Sequence, residues 1–231
     1  MKTIGLIGGM SWESSLEYYR IINKTVKELL GGFHSAKILL YSVDFEEIER
    51  YQQHGDWAGA AGVMIDAARR LERGGADFIV ICTNTMHKLA QAVQEAVNIP
   101  LLHIADATAE RICEEGIQTI GLLGTNYTME QDFYKGHLEE EFELRVLIPG
   151  DADRQVVHWV IYDELCLGQV KESSRKAYKS IMQKLVDNGA EGIILGCTEI
   201  SLLVRPEDTE VPQFDTTRIH ALAAVDRALE E

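Results

Sequence analysis

The chain has 231 residues, and its 46% hydrophobic and 26% charged content is that of a folded globular protein with one large domain or two lobes. Asp and Glu number 37 against 22 Lys and Arg, so the formal net charge is −15, which argues against nucleic acid or an anionic membrane surface as a partner. No run approaches the ~20 apolar residues of a membrane span, and the N-terminus lacks the apolar region of a secretory signal, so we expect a cytoplasmic protein.

Short apolar runs rich in β-branched residues alternate along the chain with longer segments of helical period. The predicted strands are residues 3–7, 37–43, 78–81, 101–104, 119–123, 145–148, 192–195 and 213–214. The predicted helices lie near residues 14–30, 56–73, 86–96, 107–114, 129–140, 153–165, 172–188 and 217–229. Strands that are apolar throughout and separated by helices are typical of parallel sheets covered on both faces, so the predicted fold class is α/β.

Two segments recur at a spacing close to half of the chain. TIGLIGG at residues 3–9 returns as TIGLLGT at residues 119–125, and GADFIVICTN at 75–84 returns as GAEGIILGCT at 189–198. Repeats at a near-constant offset predict two homologous, pseudo-symmetric lobes with the active site in the cleft between them. We expect the first lobe at residues 1–105 and the second at 106–208, with 209–231 packing back on the first.

The repeat places Thr83 and Cys197 at the same position, just after equivalent strands. Ligands of open α/β sheets bind outside the carboxyl ends of the strands. A hydroxyl and a thiol on opposite sides of one cleft would suit removal of a proton from one face of a substrate and delivery to the other.

Two glycine loops each join a strand to a helix. Gly8-Gly9-Met10 is followed by Ser11, and its repeat partner is Gly124-Thr125. Backbone N–H groups at such helix starts can bind an anion, although Ser11 or Ser14 could equally serve only as a helix N-cap. The spacing is not that of a dinucleotide-binding fingerprint.

The segment Gly196-Cys197-Thr198-Glu199 carries the strongest chemical signal. A cysteine at a helix or turn start is expected to have a lowered pKa, because nearby backbone N–H groups stabilise the thiolate. Glu199 could assist proton transfer. The alternative is an inert buried cysteine.

The remaining polar loop follows the strand at 78–81. Thr83 and Asn84 could supply hydrogen-bond donors to a carboxylate, or could cap the following helix and nothing more. His87 could contact substrate, or be a solvated or capping residue. Cys82 is one residue out of register with Cys197, so it should point away from Thr83 and be buried.

Other common site types are not indicated. Cys113 and Cys166 are interpreted as packing residues, and the four cysteines form no CxxC pair. The seven histidines are scattered and predict no metal site. No P-loop sequence occurs.

Taken together, the Gly8-Gly9-Met10, Thr83-Asn84-Thr85 and Gly124-Thr125 loops and Gly196-Cys197-Thr198-Glu199 resemble the aspartate/glutamate racemase family over essentially the whole chain. The start of the chain looks like the enterobacterial branch of that family. The resemblance implies a pyridoxal-phosphate-independent amino-acid racemase that uses no cofactor and no metal.

The resemblance also implies roles for individual residues. Family members carry cysteine at both repeat positions, and here the second is matched by Cys197 while the first is Thr83. A threonine hydroxyl is a far weaker acid than a thiol. By resemblance, Cys197 deprotonates L-glutamate or L-aspartate, and Thr83 on the opposite face donates a hydrogen bond or relays a proton. The matched substrate-binding positions are Met10, Asn84, Thr85, Thr125, Thr198 and Glu199, with Gln52 near the substrate side chain.

Other functions stay open at this point. Related enzymes with the same implied architecture include broad-specificity amino-acid racemases, hydantoin racemases, arylmalonate decarboxylases and maleate isomerases. A two-lobed binder of small molecules without chemistry is a further alternative, since the first cysteine is missing. The expected partner is a small-molecule amino-acid substrate. The sequence leaves open whether the chain forms a homodimer.

Overall fold

The computed structural model describes residues 1–230. Contacts divide the chain into two compact units, one of residues 1–104 with the segment from 220 onward and one of residues 105–219. Each unit is a four-stranded parallel sheet flanked by helices, which confirms the predicted α/β class. Within the segment 209–231, expected to pack back on the first lobe, residues 213–215 pair into the sheet of the second unit and residues 220–230 belong to the first.

The strands are β1 (Ile4–Gly8), β2 (Ile38–Ser42), β3 (Phe78–Ile81), β4 (Leu101–Leu102), β5 (Thr119–Gly124), β6 (Arg145–Leu147), β7 (Gly192–Gly196) and β8 (Gln213–Asp215). The α-helices are α1 (Trp12–Leu30), α2 (Phe45–His54), α3 (Trp57–Arg73), α4 (Ala90–Glu95), α5 (Ile104–Glu114), α6 (Asn126–Glu130), α7 (Lys135–Phe142), α8 (Asp151–Asp163), α9 (Glu172–Asp187), α10 (Ile200–Leu203) and α11 (Thr216–Leu229). Three 3₁₀ turns cover Thr85–Leu89, Leu165–Leu167 and Pro206–Asp208.

The two sheets share one strand order, as the sequence repeat predicts. The first runs β2-β1-β3-β4 and the second β6-β5-β7-β8. Repeat-equivalent strands therefore occupy equivalent places, with β3 and β7 each third in the order. Because every pairing is parallel, the carboxyl ends of the strands lie along one edge of each sheet.

Apolar side chains on both faces of the first sheet hold its helices in place. Ile4 and Leu6 are fully buried in one cluster with residues of α1 and α11, whereas Ile7 and Ile81 belong to a second cluster with α3. Successive strand residues alternate between these faces. Each such burial contributes about 1.5–3 kcal/mol, which explains why these strands read as continuous apolar runs.

The differences from the predicted elements lie mostly in short helices. α2, of which only Ile48 and Gln52 are buried, and the single turn α10 were not predicted. The helix predicted at 129–140 is two helices, α6 and α7, and the one at 86–96 begins as a 3₁₀ turn. Cys113, expected to pack, is exposed.

Among residues 1–230, no helix combines the length and the apolar character needed to cross a membrane.

Candidate functional site

In the second unit, three strand ends bring together the residues around Cys197. Gly124 at the end of β5 pairs with Gly196 at the end of β7, and Leu195 pairs with Asp215 of β8. A Cβ atom at Gly196 would lie 2.8 Å from the carbonyl oxygen of Leu123. Glycine therefore lets these strands approach closely immediately before Cys197.

Cys197 is paired with a buried carboxylate. Its Sγ donates a hydrogen bond to Glu199 Oε2 over 3.0 Å. Glu199 is only 5% exposed, whereas Cys197 and Thr198 are half-buried. The predicted grouping of Cys197 with Glu199 is therefore present, with the thiol hydrogen aimed at the carboxylate.

The Cys197 pKa moves in the direction opposite to the expected one. Burial raises the pKa of the thiol well above its usual value, and the negative charges of Glu199 and Cys166 raise it further. The expectation of a lowered pKa was wrong because desolvation and a neighbouring carboxylate outweigh the turn's N–H groups. At neutral pH the resting group is a thiol.

A buried phenol lies close to this thiol. Burial, followed by the charge of Cys197, raises the pKa of Tyr178. The Tyr178 hydroxyl donates to the carbonyl oxygen of Val157 over 3.0 Å, so it is fixed in the interior of the unit. Cys166, interpreted from sequence as a packing residue, is half-buried and close enough to affect both groups electrostatically.

Polar groups of the neighbouring strand ends complete this edge of the second sheet. Thr125 is the N-cap of α6, and its side chain accepts a hydrogen bond from Thr128 N over 3.3 Å. Two buried oxygens, Asn126 Oδ1 and Thr217 Oγ1, have no hydrogen-bond partner within residues 1–230. Such oxygens are costly to bury, so they are suited to binding a polar ligand.

The equivalent turn of the first unit follows β3. Thr83 is half-buried, and Asn84 and Thr85 are buried. The Thr83 carbonyl oxygen lies 2.8 Å from His87 Nδ1, and the backbone N–H of Ile104 donates to His87 Nε2 over 3.2 Å. These partners assign the proton to Nδ1. His87 thus ties the Thr83 turn to the start of α5.

A second buried histidine supports the first. The His220 ring centroid lies 5.7 Å from that of His87. Its Nδ1 accepts from the Tyr18 hydroxyl over 2.9 Å, and its Nε2 faces the carbonyl oxygen of Leu102 over 3.0 Å. Burial lowers the pKa of His220 to about 3, so the ring is neutral.

Cys82, which directly follows β3, is buried, as predicted. It lies in an apolar cluster with Ile4, Leu6 and Val80, and burial alone raises the pKa of its thiol. A thiol in these surroundings is a packing group, and it is not grouped with Thr83.

Met10 and Gln52 both lie close to the 3₁₀ turn that follows Thr83. Met10 and Met86 belong to one buried cluster. Gln52 is buried, and its Nε2 is 3.2 Å from the sulfur of Met86. The structure therefore brings these two predicted residues to the turn that carries Asn84 and Thr85.

The first glycine loop contains the predicted cap. Ser11 is the N-cap of α1 and accepts from Ser14 N over 3.3 Å, as Thr125 accepts from Thr128 N in the second unit. The N–H of Gly9 donates to Ser15 Oγ over 2.7 Å. At least one N–H group that could have bound an anion is therefore already used inside the loop.

A surface pocket in the second unit lies away from these residues. It has a volume of about 590 Å³ and is lined by residues that include Cys113, Thr119 and Arg145. Thr119 and Arg145 begin β5 and β6, so the pocket is at the amino ends of the strands. Since ligands of such sheets bind at the carboxyl ends, we do not assign it to the site.

Comparisons with known proteins agree on one family. A family model described as Asp/Glu/Hydantoin racemase matches residues 7–224. The broad specificity amino-acid racemase RacX of Bacillus subtilis is 24% identical over 230 residues, which cover 96% of each chain.

Solved structures give the same result. A candidate Asp/Glu racemase from Yersinia pestis superposes with a TM-score of 0.94 at 58% identity, and an aspartate racemase homologue from Pyrococcus horikoshii OT3 with 0.86 at 36%. Both matches cover 100% of each chain. A glutamate racemase from Francisella tularensis, at 16% identity and a TM-score of 0.68 over 98% of this chain and 80% of its own, shows the shared fold.

Proposed function

Because the chain belongs to the Asp/Glu/Hydantoin racemase family and is an isomerase of the amino-acid racemase type, we propose that it interconverts the enantiomers of glutamate or aspartate without pyridoxal phosphate. Cys197 is the group that removes the α-proton of the L-enantiomer. Thr83 acts on the opposite face of the substrate. Acidic substrates are favoured by the names of the related proteins from Yersinia pestis and Pyrococcus horikoshii.

The observation that carries this proposal is the pair formed by Cys197 and Glu199. The thiol already donates to the carboxylate over 3.0 Å, so a path for its proton exists before substrate arrives. Transfer of that proton to Glu199 leaves a thiolate at the carboxyl end of β7. Because burial raises the thiol pKa, the thiolate is a stronger base than an exposed one.

The thiolate then takes the α-proton, and electron density moves from the broken C–H bond into the substrate carboxylate. Negative charge that develops there needs hydrogen-bond donors on the protein. Asn84, Thr85, Thr125 and Thr198 are the proposed donors, since each lies at or just after a strand's carboxyl end. The unpaired oxygen of Asn126 is the proposed acceptor for the substrate ammonium group.

On the other face, the proposed role of Thr83 is a hydrogen bond or the relay of a proton from water. A threonine hydroxyl cannot act as a base near neutral pH, so removal of a proton from the D-enantiomer should be slow. The substrate side chain is proposed to lie near Met10 and Gln52. Gln52 is the polar one of the two and can donate an amide hydrogen to a side-chain carboxylate.

A broad-specificity racemase and a binder of small molecules without chemistry are the two alternative functions. RacX is described as a broad specificity amino-acid racemase, which keeps a wider substrate range as the second candidate. A binder that carries out no reaction does not require the hydrogen bond between the Cys197 thiol and the buried carboxylate of Glu199.

Chiral chromatography after incubation with each of a panel of L-amino acids, with no pyridoxal phosphate added, separates these functions. We expect the D-enantiomer to form from L-glutamate or L-aspartate, and iodoacetamide to abolish its formation unless substrate protects. Conversion of many neutral amino acids would instead support the broad-specificity enzyme. Binding without conversion, or dependence on added pyridoxal phosphate, would contradict the proposal.

A further inference from the structure

A histidine of α8 lies beside the turn that follows β5. The backbone N–H of Asn126 donates to His158 Nδ1 over 3.2 Å. His158 is half-buried, and its ring centroid lies 6.3 Å from that of Tyr127 and 4.8 Å from that of Tyr162. Because Nδ1 accepts this hydrogen bond, the ring proton is on Nε2 and the ring is neutral.

The contact with His158 holds the residue that carries an unpaired buried oxygen. Asn126 Oδ1 is one of the oxygens without a hydrogen-bond partner within residues 1–230. Thr125, the N-cap of α6, immediately precedes Asn126, so the turn is held both by the Thr125 side chain and by His158. A turn that is already held costs less conformational entropy when its side chain binds a ligand.

The helix after the outer strand carries a comparable residue in both units. α2 follows β2 and α8 follows β6, and each of these strands is the outer one of its sheet. Gln52 is the eighth residue of α2, and His158 is the eighth residue of α8. Gln52 is a proposed neighbour of the substrate, so the repeat places His158 at the corresponding position of the second unit.

The charges around His158 keep its ring neutral near neutral pH. Burial lowers the pKa of His158, and the negative charges of Asp163 on α8 and Glu130 on α6 raise it by smaller amounts. Glu130 is paired with Arg154 over 2.9 Å. On the other elements packed against α8, α9 turns Tyr178 and Lys184 toward it, and the 3₁₀ turn after it carries Cys166. At lower pH a second ring proton occupies Nδ1, which then cannot accept from the Asn126 N–H.

We propose that His158 is a positioning residue for the ammonium group of the substrate. Its neutral ring holds the Asn126 backbone, which keeps the Asn126 side-chain oxygen available to accept from that ammonium group. Substrate binding therefore weakens as His158 becomes protonated. This role rests on the proposed function, in which Asn126 contacts the substrate, and His158 acts through Asn126.

Calorimetric titration of ligands with and without an amino group tests this role. Glutarate and succinate are glutamate and aspartate without that group, and Cys197→Ser is present in every sample to prevent turnover. His158→Leu removes the acceptor, so we expect the dissociation constant of L-glutamate or L-aspartate to rise about 10-fold, the scale of a buried donor left unpaired. The dissociation constant of glutarate or succinate should change little.

Two further variants separate the hydrogen bond from the shape of the side chain. His158→Asn should bind the amino acids as tightly as the parent, because Asn Oδ1 and His Nδ1 are both bonded to Cγ and both can accept a hydrogen bond. His34→Leu, at an exposed position, is the control. Equal weakening of all ligands in His158→Leu, or a loss of affinity in His158→Asn as large as in His158→Leu, would overturn the positioning role.

NMR of isotope-labelled histidine rings decides the question even if His158→Leu does not fold. We expect the Nε2–H tautomer of His158 at neutral pH. We also expect the ring pKa to fall further when L-glutamate or L-aspartate binds, because ligand binding and the neutral ring favour each other. A ring pKa that binding leaves unchanged would overturn the role. Absence of racemisation in a protein that shows this binding pattern would contradict the proposed function alone.

Discussion

The turn after β3 and the turn after β7 occupy equivalent places in two sheets of the same strand order, yet they contain different chemistry. Thr83 has its carbonyl oxygen held by His87 and a neutral hydroxyl for a side chain. Cys197 presents a thiol hydrogen-bonded to buried Glu199. Equivalent turns of one fold can therefore carry different chemistry. The thiol at Cys197 can lose and regain a proton, whereas the hydroxyl at Thr83 only donates a hydrogen bond or relays a proton.

The largest expected effect comes from removing the thiol. Cys197→Ser keeps the size of the side chain but replaces the base by an alcohol, and we expect kcat to fall at least ~10²-fold, the usual lower scale for loss of a general base. The measurement is racemisation of L-glutamate and L-aspartate. Cys113→Ala, at an exposed position, and Cys82→Ala are the controls and should keep most activity. An equal fall in kcat in the Cys82→Ala variant would indicate that the catalytic base is in the first unit.

Removing the carboxylate should have the next largest effect. Glu199→Gln leaves the shape of the turn but takes away the acceptor for the Cys197 proton, and we expect kcat to fall about 10-fold or more. Since the negative charge of Glu199 raises the pKa of Cys197, its loss lowers that pKa.

The rate of iodoacetamide alkylation against pH reports this second change. In the Glu199→Gln variant, thiolate formation should start at a lower pH than in the unaltered protein, even though turnover is slower. Glu141→Gln, a charge change on the exposed end of α7, serves as the control. A profile shifted to higher pH would contradict the proposed coupling.

Much of this arrangement could be predicted from the sequence. The positions of all eight strands and their parallel pairing follow from the apolar runs, and the equivalence of Thr83 with Cys197 follows from the repeat. The order of the strands within each sheet was not predicted. The direction of the Cys197 pKa did not follow, because it depends on burial and on where Glu199 points. The unpaired oxygens of Asn126 and Thr217 gave no signal either, since sequence does not show which polar atoms lack partners.

A smaller effect is expected from making the two turns alike. Thr83→Cys places a thiol at the repeat position of the first unit, and we expect exchange of the α-proton of the D-enantiomer to rise roughly 10-fold while the L-enantiomer changes little. Thr83→Ser, which keeps the hydroxyl, is the matched control. If the cysteine variant behaves like the serine variant, a thiolate cannot form there.

The smallest effect is expected on the free energy of unfolding and concerns His220, whose ring lies beside that of His87. His220 has a folded-state pKa of about 3 against an ordinary 6.5, so the unfolded chain binds a proton that the folded chain does not. Its contribution to stability is therefore lost as the pH falls below about 6.5 toward 3. Urea unfolding of His220→Gln between pH 7.5 and 4 should show a flatter pH dependence, whereas the exposed His34→Gln should not.

The central claim is that the two turns are chemically unequal, and α-proton exchange in D₂O tests it most directly. NMR with saturating L- or D-glutamate, or aspartate, follows loss of each α-proton signal while chiral analysis follows inversion. The account predicts that deuterium enters the L-enantiomer, largely with retention, faster than it enters the D-enantiomer. Equal exchange rates for both enantiomers, left unchanged by Thr83→Cys, would contradict it.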